Sequence, residues 1–194
     1  MHSFFAPLRW LFLSLLLPLA AMASSSFPAT KPGVTELKTL PAGLLIRAET
    51  KGDYFDKNGD LFRPLFRYIQ RKDIAMTTPV EATTGDTSAM YFWIAPAEAA
   101  KASPDLAPAA ALPEGVVLLA RPERLVISHG GRGRYTRKHF DEALAVAQAW
   151  LATRPDLVAD GEPAAIYWNS PFMPGFLKRY EIHLPVRPVS PAKP

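Results

Sequence analysis

The sequence predicts an α+β protein made of two copies of a strand–helix–strand–strand unit. The two would join into one curved sheet or distorted barrel with both helices on one side. Three observations predict this. Two stretches have the apolar spacing of amphipathic helices, each has one strand-like run before it and two after it, and an alanine- and proline-rich connection separates the two sets.

Residues 44–48 (LLIRA) read as the first strand. Asp60 then reads as a helix N-cap, with Pro64 in the first turn, where a missing N–H costs little. Leu61, Phe62, Leu65, Phe66 and Ile69 fall on one side of that helix, and Arg63, Arg67, Gln70 and Arg71 on the other. Residues 74–80 and 90–95 are strand-like, with a Thr/Gly/Asp turn between them. Residues 96–115 form a long surface connection whose prolines limit any helix. Strands follow at 116–120 and 125–128, then a flexible turn with Gly130, Gly131 and Gly133. Thr136 caps a second helix running to about Thr153, with Phe140, Leu144, Ala147 and Leu151 as its buried stripe, and Arg154-Pro155 ends it. Residues 164–168 are a strand and 170–179 a loop. The last strand covers 180–186, with Tyr180, Ile182, Leu184 and Val186 on one face.

Composition excludes several classes. The 194 residues include no cysteine, so there is no disulfide framework, thiolate-bound metal or covalent c-type haem. Hydrophobic residues at 48% and charged residues at 21% describe a globular chain. The net charge of +4 is too small to argue for nucleic-acid binding. Residues 1–23 read as a secretory signal peptide. Arg9 gives the positive start, residues 10–19 (WLFLSLLLPL) the apolar core, and Ala21-Met22-Ala23 the cleavage pattern. The apolar run is short for a membrane span, which needs ~20 residues. The expected organisation is a signal peptide at 1–23, a flexible linker at 24–36, one domain at 37–188 and a tail at 189–194, in a periplasmic or secreted protein.

Catalytic groupings are scarce. There is no Gly-x-Ser-x-Gly elbow and no phosphate-binding glycine loop. His129, His139 and His183 lack the helical spacing of a metal pair, although one imidazole suffices for an axial haem ligand. The glycine turn carries Arg132, Arg134, Arg137 and Lys138, and it reads as a solvated basic surface able to attract an anion. Glu181 alternates away from the apolar face of its strand and reads as a surface carboxylate; buried beside a cavity, it would be an acid/base candidate. Two segments combine bulky apolar groups with cations. One is the first helix, with Phe62 and Phe66 beside Arg63 and Arg67. The other is the loop 171–177 (PFMPGFL), followed by Lys178 and Arg179. Such surfaces suit a flat hydrophobic ligand bearing carboxylates.

Two blocks of sequence resemble a known family. Residues 65–69 (LFRYI) followed by 74–80 (IAMTTPV), and residues 167–171 (YWNSP) followed by 178–182 (KRYEI), are similar to the signature of the SOUL haem-binding proteins. The similarity runs from about Leu44 to Val186. It implies the duplicated fold above, shared in outline with gyrase-inhibitor-like effector-binding domains. It also implies non-covalent binding of haem or a related tetrapyrrole on a shallow apolar site, without catalysis. The residues matching the family's proposed haem face are Phe62, Phe66 and Arg67 of the helix and Phe172, Met173 and Pro174 of the loop. Arg67, Lys178 and Arg179 would meet the propionates. No axial ligand carries over from the family, so the metal ligand stays open. Tyr180 departs from the family pattern, as does the short turn at residues 70–73. The alternatives are an effector-type small-molecule or hydrolytic domain and an envelope protein-interaction domain.

Overall fold

The computed structural model describes residues 25–106, 112, 115–170 and 172–189. The expected signal peptide lies outside the described residues.

Nine antiparallel strands form one curved sheet. They are β1 (Thr35–Leu40), β2 (Gly43–Lys51), β3 (Val80–Thr83), β4 (Thr87–Ile94), β5 (Val116–Arg121), β6 (Arg124–Arg132), β7 (Leu157–Ala159), β8 (Ala164–Tyr167) and β9 (Arg179–Pro188). Their order is β1-β6-β9-β8-β3-β4-β2-β5, and β7 also pairs with β9. Three helices complete the fold: α1 (Tyr54–Arg71), the short α2 (Ala99–Ala102) and α3 (Arg137–Ala152). The two expected units are present as β2-α1-β3-β4 and β6-α3-β8-β9, and they meet where β3 pairs with β8.

Strand pleating sorts the side chains onto two faces. The helix side takes Ile46, Met90, Phe92, Ala165, Tyr167 and Ile182, which pack against Leu61, Leu65, Tyr68 and Ile69 of α1. Farther along, Ile127, Leu184 and Val186 pack with Ala147 of α3. The opposite face is also dry, with Leu45, Trp93, Val126, Ile166 and Trp168 buried around Phe27.

Four expectations are corrected. First, α1 starts at Tyr54, not after Asp60. Asp53 is the N-cap, and its carboxylate accepts the Phe55 N–H at 2.7 Å. Asn58-Gly59 reads as a break, but Tyr54 stacks on Tyr167 and Arg137 bonds Asp53, so tertiary contacts hold the extra turns. Pro64 therefore lies in the helix interior, where it leaves the carbonyl of exposed Asp60 to water. Second, the third ladder begins only at Val80, and residues 74–79 are irregular, with a cis Thr78–Pro79 bond. Third, Gly130 and Gly131 sit within β6 rather than in a turn. A Cβ on Gly130 would fall 2.4 Å from the Lys31 carbonyl oxygen, and one on Gly131 would fall 2.3 Å from the Tyr180 ring. Fourth, residues 25–36 are not a flexible linker. Phe27 is 5% exposed, Ser25 and Pro32 bridge to Thr78 and Gly130, and β1 begins at Thr35.

Part of the connection after β4 is also structured. Tyr68 of α1 and Lys72, which caps its end, bond Asp105 at 2.9 and 2.8 Å. Residues 107–111, 113 and 114 lie outside the described residues.

Candidate functional site: an apolar loop beside a basic turn

The segment between β8 and β9 is pinned at its base and bare at its tip. The Tyr135 hydroxyl donates to the Arg179 carbonyl at 3.0 Å and accepts from the Asn169 N–H at 3.0 Å. The Asn169 side chain accepts from the Arg179 N–H at 2.6 Å. The Gly133 N–H donates to the Lys178 carbonyl at 2.9 Å. Beyond these ties, Phe172 is 95% exposed, Phe176 72% and Leu177 45%, while Met173 is half-buried. Exposing this much apolar surface forgoes roughly 25 cal/mol for each Å² left in water, and such patches mark contact surfaces.

The cations around this loop come from the turn after β6. Arg132 lies opposite Arg179 in the β6–β9 ladder, and both are exposed. Arg134 runs against Gly175 so closely that a Cβ there would meet its Cγ at 2.4 Å. The Lys178 ammonium lies 5.0 Å from the centre of the Tyr135 ring. The sequence presents the basic turn and the apolar loop as separate features. The fold makes them one surface, because β6 and β9 are antiparallel neighbours and the end of β6 pairs with the start of β9.

The other expected segment packs inward. Phe62 stacks on Phe66 at 5.4 Å and meets Phe92 edge-on at 5.4 Å, and both rings pack against the core. Arg67 is exposed, with its Nε directed to the Arg63 carbonyl at 3.4 Å.

The three histidines differ in setting. His129 is half-buried; burial lowers its pKa, and Nδ1 is 2.8 Å from the Thr35 hydroxyl. His139 lies beside Gly133 and stacks on Tyr180. Its Nδ1 is 2.6 Å from the Arg134 carbonyl. A carbonyl only accepts, so Nδ1 is the donor in this contact. His183 is 1% exposed and belongs to the buried interior.

That interior holds Glu181, which is fully buried and not the surface carboxylate expected from strand alternation. Both faces of the sheet are covered, so alternation separates two interiors, not inside from outside. Oε1 accepts from the Thr30 N–H and the Trp168 indole N–H, each at 2.7 Å. Oε2 accepts from Lys38 at 3.0 Å and from Ser128 at 2.8 Å, and lies 2.8 Å from His183 Nε2. Burial opposes ionisation, but the hydrogen bond from His183, the Lys38 charge and the hydrogen bond from Ser128 outweigh it and hold the carboxyl at about 2. The residue lines neither the cavity around Arg121 and Arg124 nor the crevice around His139 and Tyr180. With its lone pairs filled and its charge fixed, Glu181 is not placed as an acid/base.

Ile166 lies between Glu181 and a second buried carboxylate, Glu81, in the sheet register. Glu81 accepts from Arg121 and Arg124, each at 2.7 Å. Among the described residues, no group of acidic and histidine side chains could hold a metal ion.

The architecture defines a class first: an α+β fold with one antiparallel curved sheet and helices on one face. The C-terminal domain of EcmrR shares it at 12% identity and a TM-score of 0.62, covering 80% of this chain and 98% of that domain. The same likeness extends to EcmrR solved with DNA, of which this chain spans only 58%. A hydrolase from Listeria innocua is similar at 15% identity and a TM-score of 0.55, covering 81% of this chain and 94% of that one. These likenesses show the fold alone. The family follows from the sequence match: residues 26–185 match the SOUL heme-binding protein family, and the chain belongs to it. A comparison with curated proteins finds no match.

Proposed function

We propose that this protein binds haem or a related tetrapyrrole non-covalently, on the surface formed by the β8–β9 loop and the turn after β6. The carrying observation is the exposure of Phe172, Phe176 and Leu177 on a loop whose base is fixed, beside Arg132, Arg134 and Arg179. Haem is a flat apolar ring with anionic propionates, and these residues fit both properties. Phe172, Met173, Phe176 and Leu177 would cover a ring face and exclude water from it. Arg134 and Arg179 would hold propionates by charge-assisted hydrogen bonds, with Lys178 alongside. His139 adjoins this surface with Nδ1 engaged by the Arg134 carbonyl, so Nε2 is the ring nitrogen that would bind iron, which makes it the candidate ligand. Phe62, Phe66 and Arg67 of α1 are a second expected contact. The role is binding and not catalysis, in the periplasm or outside the cell, after removal of residues 1–23.

The test is a Soret titration of the purified protein with hemin, and with protoporphyrin IX as the iron-free control. Saturable binding of hemin supports the reading, and no saturable binding of either compound overturns it. Loss of the bound-state Soret shift in His139→Ala identifies the axial ligand; an unchanged spectrum removes that role. N-terminal sequencing of the exported protein tests cleavage after Ala23.

A further inference from the structure

A second site lies on the sheet face turned away from the helices. It is a cavity of about 610 Å³, within the range of small-molecule sites. Its wall includes Glu81 of β3, Tyr91 of β4, Arg121 of β5, Arg124 and Val126 of β6, and His183 of β9. None of the expected haem-face residues lines it.

Among the sheltered groups of the wall the charges do not balance. Glu81 is 1% exposed and takes one hydrogen bond from each arginine, so two guanidiniums share one carboxylate. The arginine side chains are themselves sheltered, at 13% and 23% exposure. Arg124 Nε is buried with no hydrogen-bond partner among the described residues. Burial lowers the proton affinity of Arg124, and Glu81 only partly opposes this. A sheltered excess of one positive charge is costly until an anion joins it.

An independent feature is His183. Its Nε2 faces Glu181, whose carboxyl stays ionised, and burial keeps the imidazole neutral. Nε2 therefore donates to Glu181, and Nδ1 holds a lone pair. That atom is buried and has no partner among the described residues, and His183 lines the cavity. It can accept one N–H or O–H.

The remaining wall selects further. Val126, Ala164 and Pro185 offer apolar contact, and Arg121 stacks over the Tyr91 ring at 4.4 Å. Exposed Glu123 and Glu162 also line the cavity and disfavour polyanions, and exposed Asp160 and Arg187 line it as a pair 3.7 Å apart. We propose that this cavity binds an amphipathic monocarboxylic acid bearing a hydrogen-bond donor. The carboxylate would meet Arg121 and Arg124, and the donor would meet His183 Nδ1.

The experiment is calorimetric titration of the purified protein with 6-hydroxy-2-naphthoate, compared with 2-naphthoate, 2-naphthol and inorganic phosphate. Saturable one-to-one binding is expected, strongest for the hydroxy acid, weaker for 2-naphthoate, weakest for 2-naphthol and absent for phosphate. Arg124→Gln should weaken it by roughly tenfold or more, the scale of one hydrogen bond to a charged group. Amide shifts at Val126 and Ala164 in the unaltered protein should report the same binding, so the assignment survives if Arg124→Gln folds poorly. No saturation with the hydroxy acid overturns the proposal, as does equal affinity for 2-naphthol or no shift at those amides. Equal affinity for 2-naphthoate removes His183 from the site. Because the cavity is independent of the haem surface, hemin affinity should not change in Arg124→Gln. Competitive displacement of hemin by the naphthoate would overturn its separateness.

Discussion

The β8–β9 loop and the strand that follows it invert the usual arrangement. Phe172 in the loop is 95% exposed, whereas Glu181 in the strand is fully buried. The carboxylate tolerates burial because each of its oxygens is filled, by Thr30 and Trp168 on one side and by Lys38, Ser128 and His183 on the other. The loop rings have no such compensation, and burying them against a ligand would be favourable. A saturated polar group holds structure together, and an unsatisfied apolar group is free to bind. The functional weight therefore falls on the loop, although an acidic residue draws more attention in the sequence.

That contrast can be broken at either end. Glu181→Ala should have the largest effect on stability, a loss of about 3–5 kcal/mol, because it leaves Lys38 and His183 without their buried partner. Urea unfolding measures it, and a loss under 1 kcal/mol would deny the network its structural role. Phe27→Ala should cost about 3–5 kcal/mol as well, since the ring meets Trp93 and Trp168 edge-on at 5.6 Å in a dry core. A mobile linker would instead show almost no change in midpoint.

Acid should act next. The Glu181 carboxyl is held at about 2 in the fold, below its ordinary 4.5, so its contribution is complete above about 4.5. It drains away as the pH falls toward 2, on the order of 3 kcal/mol in all. Glu81 is lowered too, through Arg124 and Arg121 acting against burial, and adds with the same sign. Stability curves between pH 5 and about 2 should slope steeply in the natural protein and less in Glu181→Gln. Parallel slopes would show that the carboxylate titrates normally. The smallest stability effect belongs to the loop. Phe172→Asp with Phe176→Asp should leave unfolding within about 0.5 kcal/mol of the parent, as expected for exposed positions.

The sequence carried the repeated units because helix and strand periodicities differ. Thr136 accepts the His139 N–H at 3.3 Å and caps α3 as expected, and Tyr180, Ile182, Leu184 and Val186 share a face. The start of α1 was illegible because Asn58-Gly59 signals a break locally, and only contacts from Tyr167 and Arg137 overrule it. Residues 25–33 looked mobile for a similar reason. Their proline and serine content is that of a linker, and their anchor is a single aromatic ring whose partners lie far along the chain. The clamp of Glu81 by Arg121 and Arg124 left no local signal, since β5 and β6 are each separated from β3 by two intervening strands and only the curvature of the sheet brings these side chains together. The apolar loop was legible, but its basic neighbours at Arg132 and Arg134 were joined to it only by the β6–β9 ladder.

The most direct test of the account is hemin affinity across three variants of the full chain. Phe172→Asp with Phe176→Asp alters the loop, Phe66→Asp the helix, and Arg124→Gln the interior. A loss of about tenfold or more, roughly 1.4 kcal/mol, in the loop variant, a smaller loss in the helix variant and none in Arg124→Gln is the predicted result. Unchanged affinity in the loop variant, with a loss in either of the others, would contradict it.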